Sequence, residues 1–467
     1  MNNNYLKYLE AHETELVNDI FTVCRVNSER MEGQERAPYG PGPKKALETA
    51  LELAKSYGFS AEIRGDRVLC VELGEGEPEL AILAHLDVVP AGDGWTKCAP
   101  YEPVREGDML YGRGVSDDKG PAIASLYALK ALKDSGVKLN KKVQLLLGSC
   151  EETGSDDIDW YLKNYKMPPM VFTPDGDFPL VNVEKGRAAI RVFAPGGDAP
   201  SGVYVKRLSG GTVANAVPGA AKCGVVGASL EAVEAAIAET DAEGVEIKAS
   251  VCRHGNVHVT ATGVAAHASL PENGRNAVCA LLKMLSKLDL APSSGNRALL
   301  ALGKAIPFGD YNGLEFGGFC EDCESGKLTV NLGIINYAFD TGLEAVVDMR
   351  IPVCGDGNAI AVSLRENLGG DADIEVLSLS KPHCVPAESR FVRELLDIYE
   401  KYTGSPGEAM AIGGGTYVHD IEGGIAFGCT FPGRNPKMHE PDENMPVSDL
   451  KLSAAMFAEA IERFCGE

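Results

Sequence analysis

Short, nearly continuous apolar runs alternate with helical segments over the first 185 residues, and this alternation most constrains the fold. The runs at residues 67–73, 80–84, 143–147 and 170–173 have the length and composition of buried strands. Helices are predicted between them at residues 121–132 and at residues 155–165, where Ser155 is a candidate N-cap. Because helices then cover both faces of the sheet, this pattern predicts an α/β domain with a mostly parallel sheet.

The pattern changes between residues 186 and 381. Residues 245–252 and 256–262 alternate apolar and polar side chains across a turn at His254-Gly255, which is typical of an antiparallel hairpin with one solvated face. After this region come a helix at 388–402, a strand at 424–428 and a helix at 446–464 with Ser448 as its candidate cap. We therefore predict that residues 1–185 and 382–467 form the α/β domain and that residues 186–381 form a large inserted α+β domain.

The composition excludes several classes of protein. The chain has 44 Lys and Arg against 67 Asp and Glu, a net charge of −23, which argues against partners such as nucleic acid or an anionic membrane. No apolar run reaches the roughly 18 residues of a membrane span, and the N-terminal stretch lacks the pattern of a signal peptide. The 13 cysteines are odd in number and several lie in apolar runs, which is typical of reduced thiols. We expect a cytoplasmic protein.

Carboxylates and imidazoles follow the predicted strands, at the points where ligands bind in open α/β sheets. His85 and Asp87 follow the run at 80–84, and Glu151 and Glu152 follow the run at 143–147. The remaining candidates are Asp175 after the run at 170–173, Asp117 before the helix at 121–132, and His439 after the insert. Each of these residues alone is commoner as a structural residue, but their joint placement favours a single site.

Two histidines with several carboxylates make a ligand set for two divalent metals. Imidazole favours Zn²⁺, and carboxylates also admit Mn²⁺ or Co²⁺. A pair of metals needs a carboxylate that bridges them. Adjacent residues on an extended chain face opposite ways, so one of Glu151 and Glu152 could be a metal ligand and the other a general base. The pattern predicts a metallohydrolase.

Five motifs in chain order resemble those of the co-catalytic di-zinc exopeptidases, a family that includes aminoacylases, carnosinases and desuccinylases. The likeness is greatest to the bacterial PepV-type dipeptidases. The motifs are Ala84-His85-Leu-Asp87-Val-Val-Pro90, Gly112-Arg113-Gly114-Val-Ser-Asp117-Asp118-Lys119-Gly120, Glu151-Glu152-Thr-Gly154, Pro174-Asp175-Gly-Asp177-Phe-Pro179 and Lys437-Met-His439-Glu-Pro-Asp-Glu443.

The resemblance implies a role for each candidate residue. His85, Asp117 and Asp175 would hold one metal, and Asp117 would bridge to a second metal held by Glu152 and His439. Asp87 would orient His85, and Glu151 would act as the general base. The peptide bond between Asp117 and Asp118 would be cis. In this family a hydroxide held between the two metals attacks the substrate carbonyl.

Further motifs in the insert and after it resemble the substrate-binding parts of the same family. His267, in Gly263-Val-Ala-Ala-His267, would stabilise the oxyanion, and Asn215 would assist at the carbonyl. Arg350 would bind the C-terminal carboxylate of the substrate. Gly415 and Thr416 would line the same pocket. By this resemblance the insert is a lid that works within one chain, which implies a monomer. The PepV-type pattern continues with Ala-Arg where this chain has Val418-His419.

The resulting prediction is a metal-dependent dipeptidase that requires a free C-terminal carboxylate on its peptide substrate. The alternative is an N-acyl amino acid deacylase with the same two-metal site. A metal-binding protein without catalytic activity is disfavoured because binding needs no free base such as Glu151. A dinucleotide-dependent dehydrogenase is disfavoured because no GxGxxG follows the first strand.

Overall fold

A computed structural model describes residues 4–466 of the chain, which divide into two units. The first unit contains the chain up to Val183, Cys384–Met410 and the chain from Gly415 onward. The second unit contains Glu184–His383 and Ala411–Gly414. Each unit has its own hydrophobic core.

The first unit begins with helices and strands that alternate as far as Glu184. The helices are α1 (Asn4–Ala11), α2 (Glu13–Cys24), α3 (Pro41–Ser56), α4 (Lys119–Asp134) and α5 (Asp156–Asn164). The strands are β1 (Ser60–Arg64), β2 (Val68–Leu73), β3 (Pro78–His85), β4 (Val104–Glu106), β5 (Met109–Tyr111), β6 (Lys142–Gly148), β7 (Met170–Thr173) and β8 (Leu180–Glu184).

The second unit contains most of the remaining strands. They are β9 (Gly186–Pro195), β10 (Tyr204–Gly210), β11 (Ala220–Val226), β12 (Glu246–Val251), β13 (Val257–Thr262), β14 (Glu321–Asp322), β15 (Gly326–Lys327), β16 (Thr329–Ala338), β17 (Gly342–Ile351) and β18 (Asp373–Leu379). Its helices are α6 (Leu230–Ala238), α7 (Ala277–Leu285), α8 (Ser294–Ala305) and α9 (Gly357–Asn367). The chain continues with β19 (His383–Cys384), α10 (Arg390–Thr403), β20 (Ala409–Ile412), β21 (Gly424–Ala426), β22 (Asn444–Pro446) and α11 (Val447–Cys465).

The main sheet of the first unit runs in the order β1-β2-β6-β3-β7-β21-β8. Its four central strands, β6, β3, β7 and β21, are parallel, which confirms the predicted α/β class. The flanking strands β1, β2 and β8 are antiparallel to their neighbours, so the sheet is mixed. β1 and β2 pair in this way because the tight turn between them leaves no room for a crossover helix.

Helices cover both faces of this sheet, as predicted. Along β3, Leu80 and Ile82 lie in the same core as residues of α4 and α11. The intervening Ala81 and Leu83 pack on the opposite face with Ile158 of α5. Successive strand residues face opposite sides, so a strand covered on both faces is apolar throughout.

The second unit contains an eight-stranded antiparallel sheet in the order β12-β13-β11-β10-β16-β17-β9-β18. The predicted hairpin is present, because β12 pairs antiparallel with β13 from Val251 and Val257 outward. Helices α7 and α8 contribute Leu281, Leu299 and other apolar side chains to the core of this unit.

Three local predictions were wrong in detail. Ser448 does not cap α11, since its hydroxyl donates to Asp108 and the helix starts beside Pro446. Ser155 precedes α5 with a φ of 58° and makes no side-chain cap bond. Glu151 and Glu152 lie in a single 3₁₀ turn and not on an extended strand. Among residues 4–466, none of the helices combines the length and apolar composition needed to span a bilayer.

Candidate metal centre

Asp117 lies between the two histidines of the predicted site. Its Oδ1 is 3.0 Å from Nε2 of His85, and its Oδ2 is 2.9 Å from Nε2 of His439. The same nitrogen of His85 is 3.7 Å from Asp175, and that of His439 is 3.2 Å from Glu152. The five residues predicted as ligands therefore form two groups of three that share Asp117, each with its ligand atoms within 4.8 Å of one another.

The central parallel strands bring these residues together. His85 ends β3, Asp175 lies two residues beyond β7, and Glu152 lies in the 3₁₀ turn after β6. Because β6, β3 and β7 are parallel neighbours, their carboxyl ends meet at one edge of the sheet. Asp117 lies just before α4, and His439 lies between β21 and β22 with a φ of 63°.

The donor atoms fit divalent cations. Nε2 of His85 and Oε1 of Glu152 are buried, and neither makes a hydrogen bond of normal geometry with the described part of the chain. Buried polar atoms are costly without a partner, and a bound cation would provide one. The two oxygens of Asp117 face different histidines, which is the arrangement expected of a bridging carboxylate. Imidazole and carboxylate together suit Zn²⁺, Mn²⁺ or Co²⁺.

The electrostatics of the cluster follow from burial and close pairing. Burial opposes ionisation of Asp117, but the adjacent imidazoles of His439 and His85 hold its pKa below the usual value. Hydrogen bonds with Asp117 and Glu152 raise the pKa of His439 to about 11. Burial and the charge of Asp117 raise the pKa of Asp175 and of Glu152. Protons therefore compete with cations for the imidazoles, and cation binding at this site should weaken in acid.

Asp87 contacts both the predicted base and a predicted ligand. Its Oδ1 accepts a hydrogen bond from the backbone N–H of Glu151 and its Oδ2 one from that of Glu152, each at 3.1 Å. Nδ1 of His85 lies 3.0 Å from the backbone oxygen of Asp87. Burial raises the pKa of Glu151 well above its ordinary value, although His85 opposes the effect. A glutamate with a raised pKa is suited to accept a proton near neutral pH.

The quoted motifs contain three residues to which the sequence analysis assigned no role, namely Asp118, Arg113 and Glu443. The peptide bond between Asp117 and Asp118 is cis, as the resemblance implied, and Oδ2 of Asp118 accepts a hydrogen bond from the backbone N–H of His85 at 3.0 Å. Arg113 and Glu443 form a buried ion pair of 2.7 Å. Arg113 and Glu443 are four residues away from Asp117 and His439, so motif position was the only signal for them.

The segment that begins with Gly415 and Thr416 leads into the core of the first unit. The next residue, Tyr417, donates a hydrogen bond to Asp157 at 2.7 Å and places its ring edge-on to that of His85, with 5.9 Å between centroids. Val418 is fully buried in the core cluster formed with α5. The valine at this departure from the PepV-type pattern is therefore a packing residue.

The second unit places Asn215 and His267 on adjacent loops. The backbone N–H of Ala268 donates to the oxygen of Asn215 at 2.9 Å, and Val217 donates to Ala266 at 2.8 Å. Nδ1 of His267 lies 2.6 Å from the hydroxyl of Ser269. These two predicted residues come from loops separated by three strands, β11, β12 and β13, and backbone hydrogen bonds join the loops.

Arg350, near the end of β17, is 4% exposed and already has protein partners. Its Nε donates to Asp348 at 2.7 Å, and its Nη1 donates to the backbone oxygen of Gly413 at 2.6 Å. Asp348 holds the guanidinium in one orientation. The remaining N–H groups of the fork leave capacity for a third acceptor.

A cavity of about 1120 Å³ lies elsewhere, on the exposed face of the second unit's sheet. Lys206, Lys222, His254 and His258 are among the residues that line it, and none of the predicted site residues does.

Comparison with known proteins identifies the family of this chain. Residues 81–463 match the peptidase family M20/M25/M40. The chain therefore belongs to this family of metal-dependent peptidases.

Individual relatives match over nearly the whole chain. The Beta-Ala-Xaa dipeptidase of Lactobacillus delbrueckii subsp. lactis is 32% identical over 468 residues, which cover 99% of this chain and 98% of that protein. The protein YtjP of Bacillus subtilis (strain 168) is 34% identical over 459 residues, 96% of each chain. The solved structure of aminoacylhistidine dipeptidase from Vibrio alginolyticus has a TM-score of 0.60 at 14% identity over 97% of each chain, which supports the fold.

Proposed function

We propose that this protein is a dipeptidase that uses two divalent metal ions, most readily Zn²⁺, with Mn²⁺ or Co²⁺ as replacements. The observation that carries the proposal is the pair of ligand groups that share Asp117, with Glu151 in the turn beside the ligand Glu152. The name of the Lactobacillus relative, a Beta-Ala-Xaa dipeptidase, supports a dipeptide substrate.

His85, Asp117 and Asp175 would hold one cation, and Asp117, Glu152 and His439 would hold the other. When bound, the cations supply Lewis acidity and lower the pKa of water at the site. Glu151 accepts a proton from the attacking water and donates it to the leaving nitrogen. Asp87 acts through its hydrogen bonds to the turn and keeps Glu151 and Glu152 in their orientations.

Residues of the second unit supply substrate recognition in this proposal, and the unit acts as a lid. Arg350 donates to the terminal carboxylate of the peptide, a task suited to a planar guanidinium already oriented by Asp348. His267 and Asn215 polarise the carbonyl oxygen. Gly415 and Thr416 line the pocket. Because this anchor needs a free C-terminal carboxylate, we expect the amide of a dipeptide to be a poor substrate.

The test is hydrolysis of a small substrate panel by protein treated with a chelator and then reloaded with Zn²⁺, Mn²⁺ or Co²⁺. The panel contains Ala-Ala, Leu-Leu, β-Ala-His, Ala-Ala-Ala and N-acetyl-Leu. We expect cleavage of the dipeptides only, lost on chelation and restored by metal. Ala-Ala amide serves as the matched control because it lacks the carboxylate. Cleavage of N-acetyl-Leu alone would move the enzyme to the deacylases.

We also propose that the protein works as a cytoplasmic monomer. The large second unit supports a complete site within one chain, and the 13 free cysteines suit a reducing compartment. Light scattering after size-exclusion chromatography should give a mass near 49.5 kDa. A mass near twice that value would contradict the monomer.

A further inference from the structure

Glu443 is a fully buried carboxylate whose hydrogen bonds converge on one short segment. It accepts from Nη1 of Arg113 at 2.7 Å and from three backbone N–H groups, those of Gly114 at 3.0 Å, Ser116 at 2.9 Å and Asp117 at 3.1 Å. All these donors lie within the five residues that end at Asp117. A buried carboxylate is tolerated when its oxygens are paired and hydrogen-bonded, and Glu443 meets this condition with donors from that segment alone.

Arg113 extends the same connection to a second segment. Its Nη2 donates to the backbone oxygens of Pro90 at 3.5 Å and Ala91 at 3.3 Å, and its guanidinium lies over the ring of Trp95 at 5.4 Å. The chain that carries His85 and Asp87 reaches Pro90 three residues later. The ion pair therefore joins the segment after β3 to the segment before α4.

Backbone hydrogen bonds at and beside Glu443 also hold the segment that carries His439. The N–H of Gly112 donates to the oxygen of Glu443 at 3.1 Å, and that of Asn444 donates to Pro436 at 2.9 Å. His439 lies within the loop that the second bond closes. The Arg113–Glu443 pair thus connects the segments that carry His85, Asp117 and His439, which are far apart in sequence.

We propose that Glu443 is a positioning residue that sets the orientation of Asp117 and so determines whether one carboxylate serves both ligand groups. This inference rests on the proposed two-metal function. Asp117 must place one oxygen near each histidine, at 3.0 and 2.9 Å, and a small rotation of its backbone would favour one group over the other. The three N–H groups held by Glu443 include that of Asp117 itself, so the carboxylate controls this rotation directly.

The experiment is Co²⁺ titration of the metal-free full-length protein and of Glu443→Gln, followed by visible absorption and EPR. The amide of the variant places donors against the N–H groups that the carboxylate accepts from. We expect the unsubstituted protein to bind two equivalents of Co²⁺. In the variant, the affinity for one of these equivalents should be at least about 10-fold lower. A loss of this size is typical when a residue that hydrogen-bonds to a metal ligand is removed. The magnetic interaction between the two Co²⁺ ions should also be lost, and at saturating metal kcat should fall while KM changes little.

Asp442→Asn is the matched control. Asp442 immediately precedes Glu443. It accepts hydrogen bonds from Thr96 and Lys97, but not from the segment before Asp117. We expect this variant to keep both equivalents and the spectrum of the unsubstituted protein. Glu443→Asp, which keeps the charge and shortens the reach, is measured in parallel, and circular dichroism of the metal-free proteins identifies any variant that does not fold.

The outcomes separate this inference from the proposed function. If both folded Glu443 variants bind two equivalents with unchanged affinity and spectrum, Glu443 is only a stabilising residue and the inference is overturned. If the unsubstituted protein binds no Co²⁺, the proposed function fails and this inference fails with it. If it binds two equivalents but cleaves no dipeptide, the substrate assignment alone fails, and the spectra still decide the role of Glu443.

Discussion

The 3₁₀ turn after β6 gives two adjacent glutamates different surroundings. Glu152 lies 3.2 Å from His439, whereas the backbone N–H of Glu151 donates to Asp87. Burial raises the pKa of both carboxyls. One side chain is therefore available as a ligand and the other as a base, although the turn is not the extended strand that the sequence pattern suggested.

Glu151→Ala should bind metal normally and lose nearly all turnover. General acid–base catalysis contributes about 10²–10⁴-fold, so kcat should fall by at least about 10²-fold while KM changes little. Metal content by atomic emission and initial rates with Ala-Ala would check this. Glu152→Ala is the comparison, and it should lose metal as well as activity. Normal turnover in the Glu151 variant would remove this residue from the mechanism.

Arg350→Ala should weaken the recognition of the substrate carboxylate. A charge-assisted hydrogen bond contributes about 1.5–3 kcal/mol, so kcat/KM for dipeptides should fall by roughly 10–100-fold, mainly through KM. Activity on the amidated control peptide, already low, should not fall further. Because Asp348 would lose its buried partner, thermal unfolding must be measured beside the kinetics. Equal losses on both peptides would place the anchor elsewhere.

At the scale of elements, the hairpin of β14 and β15 depends on one carboxylate. Asp322 accepts hydrogen bonds from Ser325 and from the backbone N–H of Cys354, which follows β17. Although burial opposes ionisation, these bonds lower the pKa of Asp322 to about 2. The ionised side chain therefore joins the hairpin to the end of a central strand.

Asp322→Asn should destabilise the second unit at neutral pH and less so in acid. The folded pKa lies below the unfolded value of about 3.9, so the stabilisation is complete above pH ~4 and is lost as pH falls toward about 2. At pH 7 we expect a loss of about 1–3 kcal/mol, from bonds that a neutral amide replaces poorly. Urea unfolding at pH 7, 4 and 3 measures this. Asp241→Asn, at an exposed site of the same unit, should change little at any pH. A loss for Asp322→Asn that does not shrink in acid would contradict this role.

At the scale of the whole molecule, the ligand groups lie in one of two units with separate cores. Metal binding should therefore stabilise the first unit selectively. A ligand present at 100 times its dissociation constant adds about 2.7 kcal/mol. Calorimetry with and without chelator should show one transition that moves to lower temperature on chelation and another that does not. Equal shifts of all transitions would contradict the selective effect.

The sequence by itself determined the class of fold, and it predicted the residues that the structure brings together as candidate metal ligands. Apolar runs show burial on both faces, and the strand ends mark where ligands bind, so His85, Glu152 and Asp175 could be found without coordinates. These signals are local, because they depend on the residues next to each strand. The local sequence pattern also gave a wrong prediction at Ser448. Its hydroxyl donates to Asp108 and does not cap the N-terminus of α11.

Only the tertiary structure decided how distant segments join. The bonds from Glu443 to the segment before Asp117, from Tyr417 to Asp157, and from Ala268 to Asn215 link residues 53 to 329 positions apart. No periodicity encodes such contacts, because each depends on two loops meeting after the sheets have formed. The same holds for the mixed sheet and for the turn that separates Glu151 from Glu152. The residue types determine which chemistry the site can perform, and the packing of the folded chain determines where those side chains lie.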